Sequence, residues 1–311
     1  MTYNRPTQAL EALRSILSQS DQNFELIVSD NSSDLRFKDL FYEALSGESR
    51  FATVTYIKRE VVYSAIEHWN ICLSEISSDY FCLFHDDDLM LANYVNDFWV
   101  AQRKFPHAIA FGCNAVLRAL GEADKNSFKS TEKYIRYIDQ KNLFAKYFSR
   151  YQLGVAPFPS YIYKHKSLQG LKFNFSMGGK YCDVTWLLEL AKLGEIIWIN
   201  KLMMVYYMHA GNYGVVESRH DRLSFLAYIK NNKNIFGKGL LSDYRFFLYK
   251  KNIPKMISLN SHKKQVLSLS FYIKKYRVMR WFRTDHLWFF LKKTYTSFFE
   301  IKNDICKRIL N

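Results

Sequence analysis

Hydrophobic positions recur along this chain with two alternating periods. Ala9, Leu10, Leu13, Ile16 and Leu17 fall at helical spacing behind Arg5-Pro6-Thr7, and Pro6 suits the opening turn of a helix. Phe24-Glu25-Leu26-Ile27-Val28 has the length and composition of a short buried strand, and Ser29-Asp30-Asn31-Ser32-Ser33-Asp34 behind it is a cluster of turn and cap formers. The pattern then predicts a helix from Phe37 to Leu45, a strand from Val54 to Ile57, a helix around Ile66 to Ile76 and a strand from Tyr80 to Phe84. A helix near Tyr94 to Phe105 and a strand from Ile109 to Val116 follow. After a less regular middle section come a helix from Tyr181 to Leu193 and two strand-like runs, Ile196 to Ile199 and Leu202 to Met208. This alternation predicts an α/β fold with a parallel sheet covered on both faces, becoming mixed toward its end.

Composition adds scale. The 311 residues, 49% hydrophobic and 17% aromatic, are enough for one large domain with an appendage. The start, Met1-Thr2-Tyr3, lacks a basic segment followed by an apolar run, and no stretch approaches the roughly 18 uninterrupted apolar residues of a membrane span. The expectation is therefore a cytoplasmic chain. Cys72, Cys82, Cys113, Cys182 and Cys306 show no Cys-x-x-Cys spacing, which argues for reduced thiols and against a disulfide framework or a zinc site.

Charge is concentrated at one end. From Lys250 to Asn311 there are 15 Lys and Arg against Asp285, Glu300 and Asp304, a net of +12, which leaves +3 of the formal +15 for residues 1–249.

In open α/β sheets ligands bind beyond the carboxyl ends of the strands, and two of those loops here are acidic. One carries Asp30; the other is His85-Asp86-Asp87-Asp88, directly behind Tyr80-Phe81-Cys82-Leu83-Phe84. Adjacent carboxylates repel by about 1 kcal/mol per pair in water and several times that in a partly buried cleft, so something positive should compensate. A divalent cation does so with hard oxygen ligands; the alternative is a solvated turn or a helix N-terminal cap.

The chain resembles the inverting glycosyltransferases of family two, with their Rossmann-like GT-A fold. The resemblance runs through Thr2-Tyr3-Asn4-Arg5-Pro6, Phe24 to Asp34 and Tyr80 to Asp88, and covers roughly residues 1–215. It implies a mixed central sheet; residues 216–311, beyond the resemblance, read from their own composition as a second region that is helical, basic and rich in aromatics. It places Tyr3, Asn4 and Arg5 at the lip of a nucleotide pocket. Asp30 would accept a hydrogen bond from the base, commonly uracil or thymine; as a bare residue it also reads as an Asx-turn former. Asn70 resembles a position near the donor, or is a helix-surface residue.

Asp86-Asp87-Asp88 resembles the family's Asp-x-Asp metal motif, with His85 where a leading Asp is usual. Asp86 would then face ribose or metal, and Asp87 or Asp88 would coordinate Mg2+ or Mn2+ that bridges the donor diphosphate. Gly178-Gly179-Lys180-Tyr181-Cys182-Asp183 resembles the family's Glu-Asp segment, Cys182 standing where Glu is common. Asp183 would be the base that takes the acceptor proton, or the N-cap of the helix that follows. Tyr207-Met208-His209-Ala210-Gly211-Asn212 resembles a closing segment whose histidine, here His209, meets the diphosphate or its metal, with Gly211 and Gly214 lending the loop freedom. Family members begin with a buried strand leading into the positions of Thr2 and Tyr3, which this chain lacks; the implication is a start upstream of Met1 or a missing central strand.

Residues from Leu240 onward interleave aromatics with cations, as in Arg280-Trp281-Phe282-Arg283. Such helices suit an anionic membrane surface, here the inner face of a plasma membrane holding a lipid-linked saccharide acceptor. A helical cap on the catalytic domain is the alternative, and no known nucleic-acid module matches, so no nucleic-acid partner is expected. Two other functions fit less well. A nucleotidyltransferase should carry a Gly-rich basic phosphate loop near its start, absent here, and a catalytically degenerate membrane or polyanion adaptor should turn over no donor.

Overall fold

Pro6 sits in the first turn of α1 (Pro6–Leu17), where its missing N–H leaves no bond unmade, and Ala9, Ala12 and Leu13 form the buried face. β1 (Leu26–Asp30) pairs in parallel with β2 (Val54–Lys58), Leu26 opposite Val54 and Asp30 opposite Lys58. Between them α2 (Arg36–Leu45) buries Phe37, Phe41 and Leu45. Ser64 and Glu67 close a reciprocal capping box at the start of α3 (Ala65–Ser74). These residues belong to a computed structural model that describes residues 1–46, 54–148, 154–209, 218–237, 239–241 and 244.

β3 (Tyr80–Cys82) and β4 (Leu89–Met90) flank the acidic loop. Then come α4 (Tyr94–Lys104), β5 (Ala110–Ala119), β6 (Lys125–Asn126), β7 (Tyr134–Tyr137), α5 (Gln140–Phe148) and β8 (Ile162–Lys164). A 3-10 turn, Gly179–Tyr181, leads into α6 (Cys182–Leu190), followed by β9 (Ile196–Met208) and α7 (Arg219–Asn231). The larger sheet runs β3-β8-β5-β9-β4, with β6 beside β5 and β7 beside β9. Of its pairs only β5 with β9 is parallel. The fold is thus mixed α/β as expected, but the parallel arrangement predicted for the first half is confined to β1 with β2, while β3 lies antiparallel to β8.

The runs Ile196 to Ile199 and Leu202 to Met208 form one strand, not two. Register shifts against β5 between Cys113, Asn114 and Ala115 absorb the intervening residues. The buried Asn114 side chain satisfies the disrupted ladder, accepting from Ala115 N (3.0 Å) and Phe128 N (3.2 Å) and donating to Phe128 O (2.9 Å) and Asn200 Oδ1 (3.0 Å).

Two apolar clusters form. One gathers Ala9, Leu13, Val28, Phe37, Phe41 and Leu45 around β1. The other gathers Phe84, Tyr94, Phe98, Phe111, Ile197 and Met204 around the larger sheet. Among the described residues no strand pairing joins β1 to β3. Thr2 alone bridges in parallel to Asp30, with Thr2 N donating to Ser29 O and Asn31 N to Thr2 O, 3.0 Å each.

The chain divides into two units, 1–147 with 152–235, and 148–151 with 236–311. The first reaches past the boundary at 215 expected from the sequence, because α7 is fastened to the turn before α6. Asp221 Oδ1 accepts the Lys180 N–H (2.9 Å), and Gly179, at φ +62, lies so close that an added Cβ would stand 2.6 Å from Asp221 Oδ1. In the second unit Phe148 and Tyr244 meet edge to face, centroids 5.2 Å apart. Gly211, Asn212, Gly214, Cys306 and the basic stretch from residue 245 onward lie outside the described residues. Among the described residues no helix is long and apolar enough to cross a membrane.

Candidate active site

The loops after β1 and β3 are stitched together by Thr2 to Arg5. Asn4 holds a left-handed backbone (φ 53), which Asn tolerates better than most residues, and this turns its N–H onto Ser32 Oγ (2.8 Å) and its Oδ1 toward Ser33 N (2.9 Å). On the other side Asp86 Oδ2 accepts from Thr2 Oγ1 and Tyr3 N, both at 2.9 Å. Tyr3 itself is about half exposed, at 51%.

The three carboxylates have separate partners. Asp86 is spent on the N-terminal segment and lies 3.4 Å from Arg5 Nη1. Asp87 Oδ2 accepts from Arg5 Nη1 (2.5 Å) and lies 3.0 Å from His209 Nε2, which the end of β9 delivers. Burial opposes ionisation of Asp87, but His85, Arg5 and His209 outweigh it and hold the carboxyl below its ordinary value. Asp88 is 1% exposed; its Oδ1 accepts from Tyr207 N (3.0 Å), and its Oδ2 is buried without a hydrogen-bond partner. Burial, and then the charge on Asp87, push Asp88 up to about 8. The positive compensation expected from the charge pattern is supplied within the chain by Arg5.

These residues also fit a cation. Ligand atoms of His85, Asp87 and Asp88 all lie within 4.8 Å of one another. His85 Nε2 is a second buried atom without a partner, and burial lowers the His85 pKa. An unpartnered buried polar group costs about 1–3 kcal/mol, so an ion bound here would relieve two such costs. Two carboxylates suit Mg2+ or Mn2+, and an imidazole nitrogen favours Mn2+. Sequence reasoning put Asp86, Asp87, Asp88 and His209 forward as ligands; the grouping found has His85 in it, with Asp86 turned toward Thr2 and His209 placed on Asp87.

Asp30 is fully buried, its Oδ1 accepting from Ser32 N (2.8 Å) and its Oδ2 from the Tyr56 hydroxyl (2.5 Å). Burial and this carboxylate raise the Tyr56 pKa, so the phenol stays protonated as a donor. Asn70 commits both ends of its amide to one backbone, Nδ2 donating to Phe173 O (2.9 Å) and Oδ1 accepting from Phe173 N (2.8 Å). This pins Phe173 in an aromatic wall. His85 stacks on Trp69 (5.8 Å between centroids), Trp69 meets Phe173 edge-on (5.0 Å), and Phe173 stacks on Trp186 of α6 (4.6 Å).

Asp183 stands in the first turn of α6, one turn before Trp186, whereas the N-cap is Tyr181. Its Oδ1 accepts from Val184 N (2.8 Å). Burial raises its pKa to about 6, against the opposing pull of backbone N–H groups and Lys180, so the carboxylate is ionised but basic near neutrality. No contact between Asp183 and the acidic loop is recorded among the described residues; the aromatic wall links the two. Sequence reasoning gave Thr2, Tyr56 and Trp69 no role in the site. A hydroxyl beside the motif and an aromatic before Asn70 were the only local signals.

Residues 1–151 match the sequence profile described as Glycosyl transferase family 2. No curated protein sequence matches the chain. Among solved structures it is similar to S. aureus TarS 1-349 in complex with UDP-GlcNAc, with a TM-score of 0.61 and 13% identity over 88% of this chain and 79% of that one. A longer S. aureus TarS structure aligns at TM-score 0.58 and 14% identity, over 88% of this chain, and this chain spans about half of it, 47%. The mannosyltransferase PcManGT from Pyrobaculum calidifontis, in complex with GDP-Man and Mn2+, aligns at TM-score 0.53 and 17% identity, over 89% of this chain and 80% of that one. The stretch 1–151, which carries β1, β3 and the acidic loop described above, thus matches glycosyl transferase family 2.

Proposed function

We propose that the chain is an inverting glycosyltransferase that moves a sugar from a uridine or thymidine diphosphate sugar to a hydroxyl of a saccharide acceptor. The observation that carries this reading is the convergence of Thr2 to Arg5, Asp30, the Asp86 to Asp88 loop and His209 at one place. TarS 1-349 has been crystallised with UDP-GlcNAc and with UDP, and PcManGT with GDP-Man and Mn2+, which supports the donor class.

In this reading Tyr3, Asn4, Arg5, Asp30, Asn70 and Asp86 form the nucleotide-sugar side. Asp87, Asp88 and His85, with His209 beside them, would hold a divalent cation, which would supply Lewis-acid chemistry toward the diphosphate. Asp183 takes the proton of the acceptor hydroxyl. That oxygen bonds to the anomeric carbon while the carbon–oxygen bond to the diphosphate breaks, its electron pair leaves with the nucleoside diphosphate, and the configuration inverts.

The acceptor is lipid-linked, as in surface-polysaccharide assembly at the inner face of the plasma membrane. The net +12 of residues 250–311 supports this, each cation near an anionic surface being worth about 1 kcal/mol.

Thermal shift against a panel of nucleotide sugars, with and without Mn2+, tests the reading, together with release of nucleoside diphosphate on transfer. One donor should raise Tm only when the ion is present, and changing Asp86, Asp87 and Asp88 together to Ala should abolish transfer. Transfer at full rate by that triple variant would refute the site. Anionic liposomes should sediment the whole chain but not one ending at Gly239; equal binding by both would remove the tail from the proposal.

A further inference from the structure

Behind Asp30 lies a buried polar cluster that no step of the proposed transfer uses. Ser29, on β1, is 2% exposed and His68, on α3, is 4% exposed, and Ser29 Oγ stands 2.6 Å from His68 Nε2. Arg59, the residue after β2, donates through Nε to the same Ser29 Oγ (2.9 Å) and through its backbone N–H to Asp30 O (2.8 Å). Its two Nη atoms grip Glu75, the C-cap of α3, Nη1 meeting Oε1 at 2.6 Å. With its side chain 9% exposed, Arg59 is a cation drawn into the protein and held there by a bidentate carboxylate.

The direction of each bond follows from the donors present. A guanidinium Nε–H only donates, so Ser29 Oγ accepts from Arg59. Among the described residues only His68 is left to take the Ser29 proton. Were Nε2 protonated, Ser29 would face two donors and its own buried proton would have no acceptor, a state that buried donors avoid. His68 is therefore protonated on Nδ1 and bare on Nε2. Burial, then nearby positive charge, lowers its pKa to about 4, and Glu75 and Asp30 pull the other way without offsetting it.

We propose that His68 is a positioning residue for the donor side of the site: it takes the Ser29 proton, and the chain from Arg59 through Ser29 to His68 fixes the end of β1 from which Asp30 and Thr2 are held. Ser29 O accepts the Thr2 N–H (3.0 Å), and Thr2 Oγ1 donates to Asp86 Oδ2 (2.9 Å). Asp30 follows Ser29 directly, so one hydroxyl bears on both acidic loops. Three consecutive residues of α3 thereby reach three parts of the site, His68 meeting Ser29, Trp69 stacking on His85 and Asn70 holding Phe173. The bond directions stand on the hydrogen bonds alone; the bearing of His68 on a donor rests on the reading of Asp30 and Asp86 as the nucleotide-sugar side.

The test uses the full chain, with UDP and dTDP as probes in saturating Mn2+. Imidazole nitrogen NMR of the unaltered protein should show His68 protonated on Nδ1 and bare on Nε2 at neutral pH. His68→Leu keeps the bulk but removes the acceptor, and should weaken binding of the preferred nucleotide by roughly tenfold in calorimetry well below its transition temperature. His68→Gln places an amide oxygen near the position of Nε2 and should recover most of that loss. In a Ser29→Ala background His68→Leu should cost no further affinity, because the two act through one hydroxyl, whereas a loss of packing alone would add. An Nε2-protonated His68, equal affinity in His68→Leu, or full additivity with Ser29→Ala would overturn the proposal and leave the donor reading intact. Failure of the unaltered chain to bind either nucleotide would refute the donor reading and the part of His68 in it together.

Discussion

Arg5 donates through Nη1 to Asp87 Oδ2 at 2.5 Å, and the same nitrogen lies 3.4 Å from Asp86. One cation at the start of α1 thus balances two carboxylates that follow β3. With side chains 31% and 12% exposed, the Arg5–Asp87 pair is worth about 1 kcal/mol, far below a Coulomb value for dry protein. Arg5→Gln should therefore lower Tm of the metal-free protein by about 2–4 °C. The loss should shrink by more than half in saturating Mn2+, because an ion on Asp87 supplies the missing charge. Thermal shift at both conditions checks it; equal losses would show that the cation and Arg5 do not share a task.

His85 completes the candidate ligand group, so His85→Ala should weaken Mn2+ binding by roughly tenfold or more, read by titration calorimetry or by the paramagnetic signal of free Mn2+. Asp88→Asn should do the same while far-UV circular dichroism stays unchanged. Chelation of the ion should abolish transfer, and Mn2+ should restore it more fully than Mg2+.

Asp183→Asn should reduce kcat by about 10²–10⁴ with little change in donor KM, as removal of a general base does. In the unaltered protein kcat/KM should rise with pH and level off above an apparent pKa of about 6, the value to which burial raises Asp183. A rise centred near pH 4 would mean that the carboxylate is solvated and not the base.

The same burial has a stability sign. The folded pKa of Asp183 lies above its ordinary 3.8, so this group contributes nothing unfavourable below pH 3.8, and stability is lost as pH rises through about 6. Asp183→Asn removes that loss. Allowing for the partial exposure of the side chain, the variant should gain about 1–2 kcal/mol at pH 7.5 and nothing at pH 3.5, measured by denaturant unfolding.

Asn70→Ala deletes two hydrogen bonds to the Phe173 backbone and should cost about 1–3 kcal/mol. Donor KM should also rise at temperatures well below the transition, as the proposed place of Asn70 on the nucleotide-sugar side requires; an unchanged donor KM would confine the amide to holding Phe173.

Much of this was legible locally. Pro6 with its apolar stripe announces α1, and the acidic runs after β1 and β3 announce the loops that make up the candidate site, because both signals lie within a few residues. What escaped depends on distant partners. The bulge that fuses β9 into one strand is held by Asn114, on another strand, so the polar pair Asn200-Lys201 reads as a break. His85 is oriented by Trp69 and Phe158, and neither spacing carries a motif. The attachment of α7 to the turn before α6 runs through Asp221, which caps α7 and also receives the Lys180 N–H, a partner 41 residues away.

Thr2 holds β1 with its backbone and Asp86 with its hydroxyl, at 2.9 Å. Any influence that stiffens this residue narrows the conformations open to the acidic loop, and a ligand bound at that loop would in turn restrain Thr2. Order at the edge of β1 and affinity at the loop are thereby coupled reciprocally: the factor by which ordering Thr2 strengthens binding is the factor by which binding favours that order.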